Sequence, residues 1–139
     1  MRVIIGIDTG VNTGFALMRG GIYETVASFT AVQAENIVLS EKMSGADLIV
    51  YVEDARLSGK MPKHLQRGHG ADQGVGSVKR DSARWNEFLT YHNIPHVMIS
   101  PRANKYKKCS VEMFERLTGW AKRSNGHGRD AAVLILGAK

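Results

Sequence analysis

Cysteine occurs once in this sequence, at Cys109, and proline only three times. A lone cysteine excludes an intrachain disulfide framework and agrees with a reducing compartment. It also removes the cysteine cluster on which a structural zinc site is built. Three scattered prolines leave no Pro-rich linker, and no low-complexity tract or internal repeat is present. No apolar run approaches the roughly 20 residues needed to cross a bilayer. The opening MRVIIGID lacks the length and cleavage site of a signal peptide. These absences lead to the expectation of a cytoplasmic protein with no membrane partner, and 139 residues with 43% hydrophobic content suit a single domain spanning 1–139.

Charge is present in excess of one sign, a formal +6. Fourteen of the 19 Lys and Arg residues fall in two segments, Arg56 to Arg84 and Arg102 to Arg123. Such clustering would suit a surface for a polyanion; from charge alone, a merely solvated surface reads equally well. The candidates for phosphate contact are Lys60, Lys63, Arg67, Lys79, Arg80, Arg102, Lys105, Lys107 and Lys108.

Hydrophobic periodicity predicts the elements. RVIIGID, residues 2 to 8, is apolar at almost every position, as in a strand covered on both faces. A glycine-punctuated turn, TGVNTG, leads to FALM, and Arg19-Gly20-Gly21 turns into the alternating IYETVASF. Thr30 with Gln33 forms a capping-box pattern opening a helix from about 31 to 44. DLIVYVED, 47 to 54, is a fourth strand that stops on two carboxylates. Residues 57 to 76 are basic and glycine-rich and read as a loop with a helix starting near its end. Val75, Val78, Ser82, Trp85 and Leu89 then recur at helical spacing until Asn93-Ile94-Pro95. HVMIS gives a fifth strand and SPRANKYKK a basic connection. A helix follows over VEMFERLTGW with Val111, Phe114 and Leu117 on one face, and a last, buried helix starts near Arg129. The succession predicts an α/β fold with a mixed sheet, antiparallel at one side and parallel through the middle.

Asp8 closes the first strand, Glu53 and Asp54 close the fourth, and His127 and Asp130 stand at the start of the final helix. Parallel strands bring their C-terminal ends to one edge, the usual place for a site. Crowded carboxylates repel unless a cation neutralises them, and a hard divalent ion such as Mg²⁺ favours oxygen ligands and phosphate together. Two such ions can activate water and stabilise the leaving oxygen of a phosphodiester. Taken singly, each residue also has an ordinary use. Asp8 would cap the turn at Gly10, Glu53 or Asp54 would pair with Arg56, Asp130 would suit a helix N-terminus, and His127 would be a loop histidine.

Three motifs resemble the RuvC-like Holliday junction resolvases. GIDTGVNTGFAL is similar to their opening strand, VYVEDAR to their second acidic strand, and HGRDAAVLIL to their final motif, in the same order and across nearly the whole chain. The resemblance implies a ribonuclease-H-like fold with a five-stranded mixed sheet and helices on both faces. It also implies a homodimer that nicks four-way DNA junctions with Mg²⁺, two ions per site, or with Mn²⁺. Carried over, Asp8, Glu53, His127 and Asp130 are the metal-binding catalytic set, Asp54 matches no catalytic position, and Lys108, ahead of Lys107 and Lys105, is the lysine preferred near the scissile phosphate. Thr9 stands where the cellular proteins usually carry proline, and the short basic middle of the chain is more similar to the bacteriophage-encoded type, which places the protein in a bacterial or phage-infected cell. Other readings of the same cluster are a nuclease for RNA/DNA hybrid and a branched-DNA-binding protein that does not cut. GIDTG also opens the phosphate loop of sugar kinases and actin-like ATPases, but those need two such domains and this chain has length for one.

Overall fold

The computed structural model describes residues 1 to 58 and 69 to 139, and of residues 69 to 75 only the backbone. Strands β1 (Arg2–Asp8), β2 (Thr13–Arg19) and β3 (Ile22–Phe29) form an antiparallel meander. Helix α1 (Ala31–Met43) leads to β4 (Asp47–Glu53), helix α2 (His69–Tyr91) to β5 (His96–Ile99), and helices α3 (Val111–Thr118) and α4 (Gly126–Leu134) complete the order. The five strands lie in the order β3-β2-β1-β4-β5, with β1/β4 and β4/β5 parallel. The parallel half therefore extends from the central β1 out to the β5 edge and is not confined to the middle of the sheet.

Alternation along β1 divides the core. Val3, Ile5 and Ile7 face a layer containing Ala34 and Val38 of α1 and Trp85 and Leu89 of α2. Ile4 on the opposite face joins Phe114 of α3 and Ala131, Ala132 and Val133 of α4. Because both sides of β1 are covered, an uninterrupted apolar run is what the strand requires. Thr30 caps α1 as its spacing predicts, its Oγ1 accepting from Gln33 N at 3.2 Å while Gln33 Oε1 accepts from Thr30 N at 3.0 Å.

Two helix starts differ from expectation. The backbone is already helical at His69, inside the segment read as loop; glycine weakens a helix by about 1 kcal/mol relative to alanine without forbidding it. Lys60, Lys63 and Arg67 lie outside the described residues. Helix α4 begins at Gly126 instead of near Arg129, because Asn125 is its N-cap, with Oδ1 accepting from Gly128 N at 2.8 Å. Val111 also departs from its expected inward face: it is exposed at the first turn of α3, and Phe114 is that helix's buried residue.

Helix α4 lies against the sheet backbone to backbone. A methyl group at Gly6 would strike the carbonyl oxygen of Ala131, and one at Gly14 the carbonyl of His127. From the helix side, a Cβ on Gly128 would come within 2.8 Å of the main chain of Ala27. Two polar ties fix the same approach: Asn125 Nδ2 donates to Ser28 Oγ at 2.8 Å, and the Tyr23 hydroxyl donates to Ala132 O at 2.7 Å. Neighbouring glycines should consequently respond in opposite directions. Gly128→Ala is expected to lower stability by about 1–3 kcal/mol through overpacking. Gly126→Ala, whose methyl meets only the end of Arg129 at 3.9 Å, should gain about 0.4–1 kcal/mol by restricting the unfolded chain. Urea denaturation of the two variants checks both signs.

Candidate active site

The parallel register of β1 and β4 pairs Asp8 directly with Glu53. Partners in register project to the same face, so two carboxylates stand side by side at the C-terminal edge. Helix α4 arrives on that face because Gly14, paired with Asp8 across β2, leaves room for the His127 main chain. His127 and Asp130, three residues apart, share one side of the helix. His127 Nδ1 lies 3.9 Å from Asp8 Oδ2, with its ring more than half exposed at the rim. Asp130 is buried deeper, with Oδ1 accepting from Lys108 N at 2.8 Å. Asp8, Glu53, His127 and Asp130 all line one cleft of about 270 Å³, together with Thr9, Ala55, Val78, Pro101, Lys107 and Lys108. Sequence reasoning set His127 on the approach to the helix and Asp130 on its first turn; the structure places both within the helix, because it starts at Gly126.

Burial is the first cause, and the adjoining Glu53 carboxylate the second, that push the Asp8 carboxyl from an ordinary 3.8 up to about 8, against the pull of Lys107. Glu53 is only 4% exposed. Its charge is met by the Lys107 ammonium, which donates to Oε1 and Oε2, both at 2.9 Å. Burial works to lower the Lys107 ammonium, but the hydrogen bonds and charge of Glu53 outweigh it and hold the group above its usual value. Among the three candidate lysines, therefore, it is Lys107 that brings its charge onto the carboxylates. Lys108 lines the cleft and supplies its main-chain N–H to Asp130 from a left-handed conformation, φ 60°. Lys105 is exposed, as are Lys79, Arg80 and Arg102.

Asp54 turns away from this cluster. It is 1% exposed and receives Arg56 through Nε at 2.9 Å and Nη2 at 2.8 Å. The Arg56 pairing considered for this acid pair is real for Asp54, and it is buried on the Asp54 side. Two further residues position the site. Asn104, buried in the basic connection, donates from Nδ2 to Asp130 O at 3.1 Å. Ser82 Oγ accepts from Ala55 N at 3.2 Å and lies 3.2 Å from Thr9 Oγ1, joining α2 to the ends of β1 and β4. A serine within the apolar stripe of α2 was the available signal for the second; nothing in SPRANKYKK distinguished Asn104.

Among the described residues no three acidic, imidazole or thiol groups are already drawn into a metal cage. The donor chemistry nevertheless fits a hard divalent cation: three carboxylates converge on one cleft, and the ionised form of Asp8, disfavoured by burial first and by Glu53 second, is what such an ion would stabilise.

No family model and no curated protein matches the sequence. Comparison of folds does find matches. RuvC of Thermus thermophilus in complex with a Holliday junction substrate superimposes with a TM-score of 0.56 at 14% identity, covering 98% of this chain and 91% of that one. A second Thermus thermophilus RuvC structure gives 0.55 at 14% identity, covering 96% and 91%. The chain has a RuvC-like, ribonuclease-H-like fold: a five-stranded mixed sheet with helices on both faces. No helix among the described residues is long and apolar enough to cross a membrane.

Because native Asp8 holds its proton up to about pH 8 and the unfolded chain releases it near 3.8, the native state binds more protons between these values and metal-free stability falls as pH rises through them. Melting temperatures in EDTA should show wild type losing ground to Asp8→Asn from pH 5 to pH 8. Mg²⁺ should restore wild type preferentially at the upper end, where the carboxylate is free to bind it. A pH-independent gap between the two proteins would contradict the assignment.

Proposed function

We propose that this chain is a structure-selective endonuclease for branched DNA, resolving four-way junctions by divalent-metal-dependent phosphodiester hydrolysis, with residues 1–139 acting as one domain and two copies forming a homodimer. The observation that carries the reading is the convergence of Asp8, Glu53 and Asp130 with the Lys107 ammonium in one cleft at the strand ends. The fold shared with a RuvC in complex with a Holliday junction substrate supports the choice of substrate. The short basic middle of the chain supports the phage-encoded type, acting in the bacterial cytoplasm.

Asp8, Glu53 and Asp130, with His127 at the rim, would hold Mg²⁺ or Mn²⁺, and a pair of such ions supplies an activated water and a stabilised leaving oxygen. The chain's own residues do the rest. Asp8 and Glu53 are set by the β1/β4 register, and Asp130 is oriented by the main chain of Lys108 and the amide of Asn104. Lys107 and Lys108 offer positive charge to the phosphate that enters the cleft. Lys79, Arg80, Arg102 and Lys105, together with Lys60, Lys63 and Arg67, would meet flanking phosphates, contacts that position DNA without reading bases. The net reaction joins water to phosphorus and releases the 3′ oxygen, leaving a 5′-phosphate at the nick.

Synthetic four-way junction and matching linear duplex, each with Mg²⁺ or EDTA, give the test. Paired nicks are expected in the junction alone, abolished by EDTA and reduced roughly 100-fold or more by Asp8→Asn. Undiminished cutting in EDTA would sink the mechanism. Junction bound but never cut would leave a DNA-binding protein, and cutting confined to RNA/DNA hybrid would move the substrate to one recognised through its 2′-hydroxyls.

A further inference from the structure

Glu53 and Asp130 are held in unlike ways. Asp130 Oδ1 rests on a main-chain N–H, that of Lys108, which cannot withdraw unless the whole connection moves. Glu53 is held at both oxygens by an ammonium on a flexible stem. The Lys107 side chain is 31% exposed, whereas that of Glu53 is 5% exposed, so the cation has a route outward and the carboxylate does not. A divalent ion binding Glu53 would sit about 2.1 Å from a carboxylate oxygen to which the Lys107 ammonium now donates at 2.9 Å, and two cations drawn to one carboxylate repel each other. An ion at either oxygen therefore competes with Lys107 for Glu53.

We infer that Lys107 stands in for the metal: in the metal-free protein its ammonium occupies Glu53, and divalent binding requires its displacement into the cleft. The inference rests on the metal-dependent nuclease reading and adds to it a competition between a residue of the chain and the ion. It gives Lys107 two successive places. First it keeps a buried glutamate neutralised, and then, displaced by the ion, it remains as a free positive charge beside Pro101, Lys108 and His127 in the same cleft. Site charge is thereby balanced before and after metal arrives.

Calorimetric titration of Mn²⁺, without DNA, into wild type, Lys107→Met, Lys107→Arg and Lys108→Met tests the competition apart from any cleavage. Removal of the competitor should tighten Mn²⁺ binding by Lys107→Met about ten-fold. Lys107→Arg, which keeps a cation on Glu53, should bind as wild type does or more weakly. Lys108→Met deletes an equal charge lining the same cleft and should change affinity by less than about two-fold, since screened charge alone is worth little. Equal or weaker binding by Lys107→Met overturns the inference while leaving the metal site standing, and so does an equal gain in Lys108→Met. No binding by any of the four overturns the nuclease reading and this inference together. Wild type provides a second measurement that needs no variant to fold. Acetylation of Lys107 by an amine-reactive ester, followed by mass spectrometry, should accelerate when Mg²⁺ replaces EDTA while that of Lys105 does not. Unchanged reactivity at Lys107 would equally overturn the displacement.

Discussion

The contact between α4 and the backbones of β1, β2 and β3 is the constraint from which the rest of the structure follows. Gly6 and Gly14 in the sheet and Gly128 in the helix leave no side chain at the three points where the two main chains come closest. Glycine costs conformational entropy on folding, and here the return is proximity: the helix comes near enough for His127 to meet Asp8 and for Asp130 to share its cleft. Larger residues would still permit a five-stranded sheet with a covering helix, but the acidic groups would stand apart. Asn125 and Tyr23 hold the same approach through hydrogen bonds at opposite ends of the helix.

What this proximity creates is an electrostatic conflict. Three carboxylates converge in partly desolvated surroundings, and only some of the resulting charge is answered from within the protein. Lys107 answers Glu53, a main-chain N–H answers one oxygen of Asp130, and Asp8 responds by keeping its proton. Sites that store such conflict are characteristic of function, since a chain selected for stability alone would dissipate it. Asp54 shows the contrast. One residue beyond Glu53 and almost fully buried, it is completely satisfied by Arg56 and has no demand left for an external ion.

Much of this could be read from the sequence because the relevant signals are local. β-branched runs ending on carboxylates located β1 and β4, and the resemblance already set Asp54 apart from Glu53. The Thr30 capping box fixed the start of α1 to the residue. The failures have a common physical origin in glycine and in loop conformation. Gly126 and Gly128 resemble a loop around His127, yet they belong to α4, one of them because only hydrogen fits against Ala27. Gly14, read as punctuation of a turn, is a strand residue chosen for contact with a helix more than a hundred positions away. Spacing could not show that Lys107 is the lysine that reaches Glu53, since the directions of Lys107 and Lys108 depend on the left-handed backbone at Lys108 and on the tie between buried Asn104 and Asp130. With no family model and no curated protein matching, the motifs were legible as chemistry while the support that aims them was visible only in three dimensions.

The same long-range contact bears on when the site exists during the life of a polypeptide. Asp8 and Glu53 emerge early in synthesis and can pair within the first half of the chain, whereas Asp130 and the helix that carries it come from its far end. Contacts of such sequence separation form late, because loop closure must be paid for before they contribute. A nascent chain on the ribosome, or a product truncated before α4, would therefore carry strand ends without their third carboxylate. Because Asp130 is carried by α4, the cleft gains its third carboxylate only once that helix has been made and has docked.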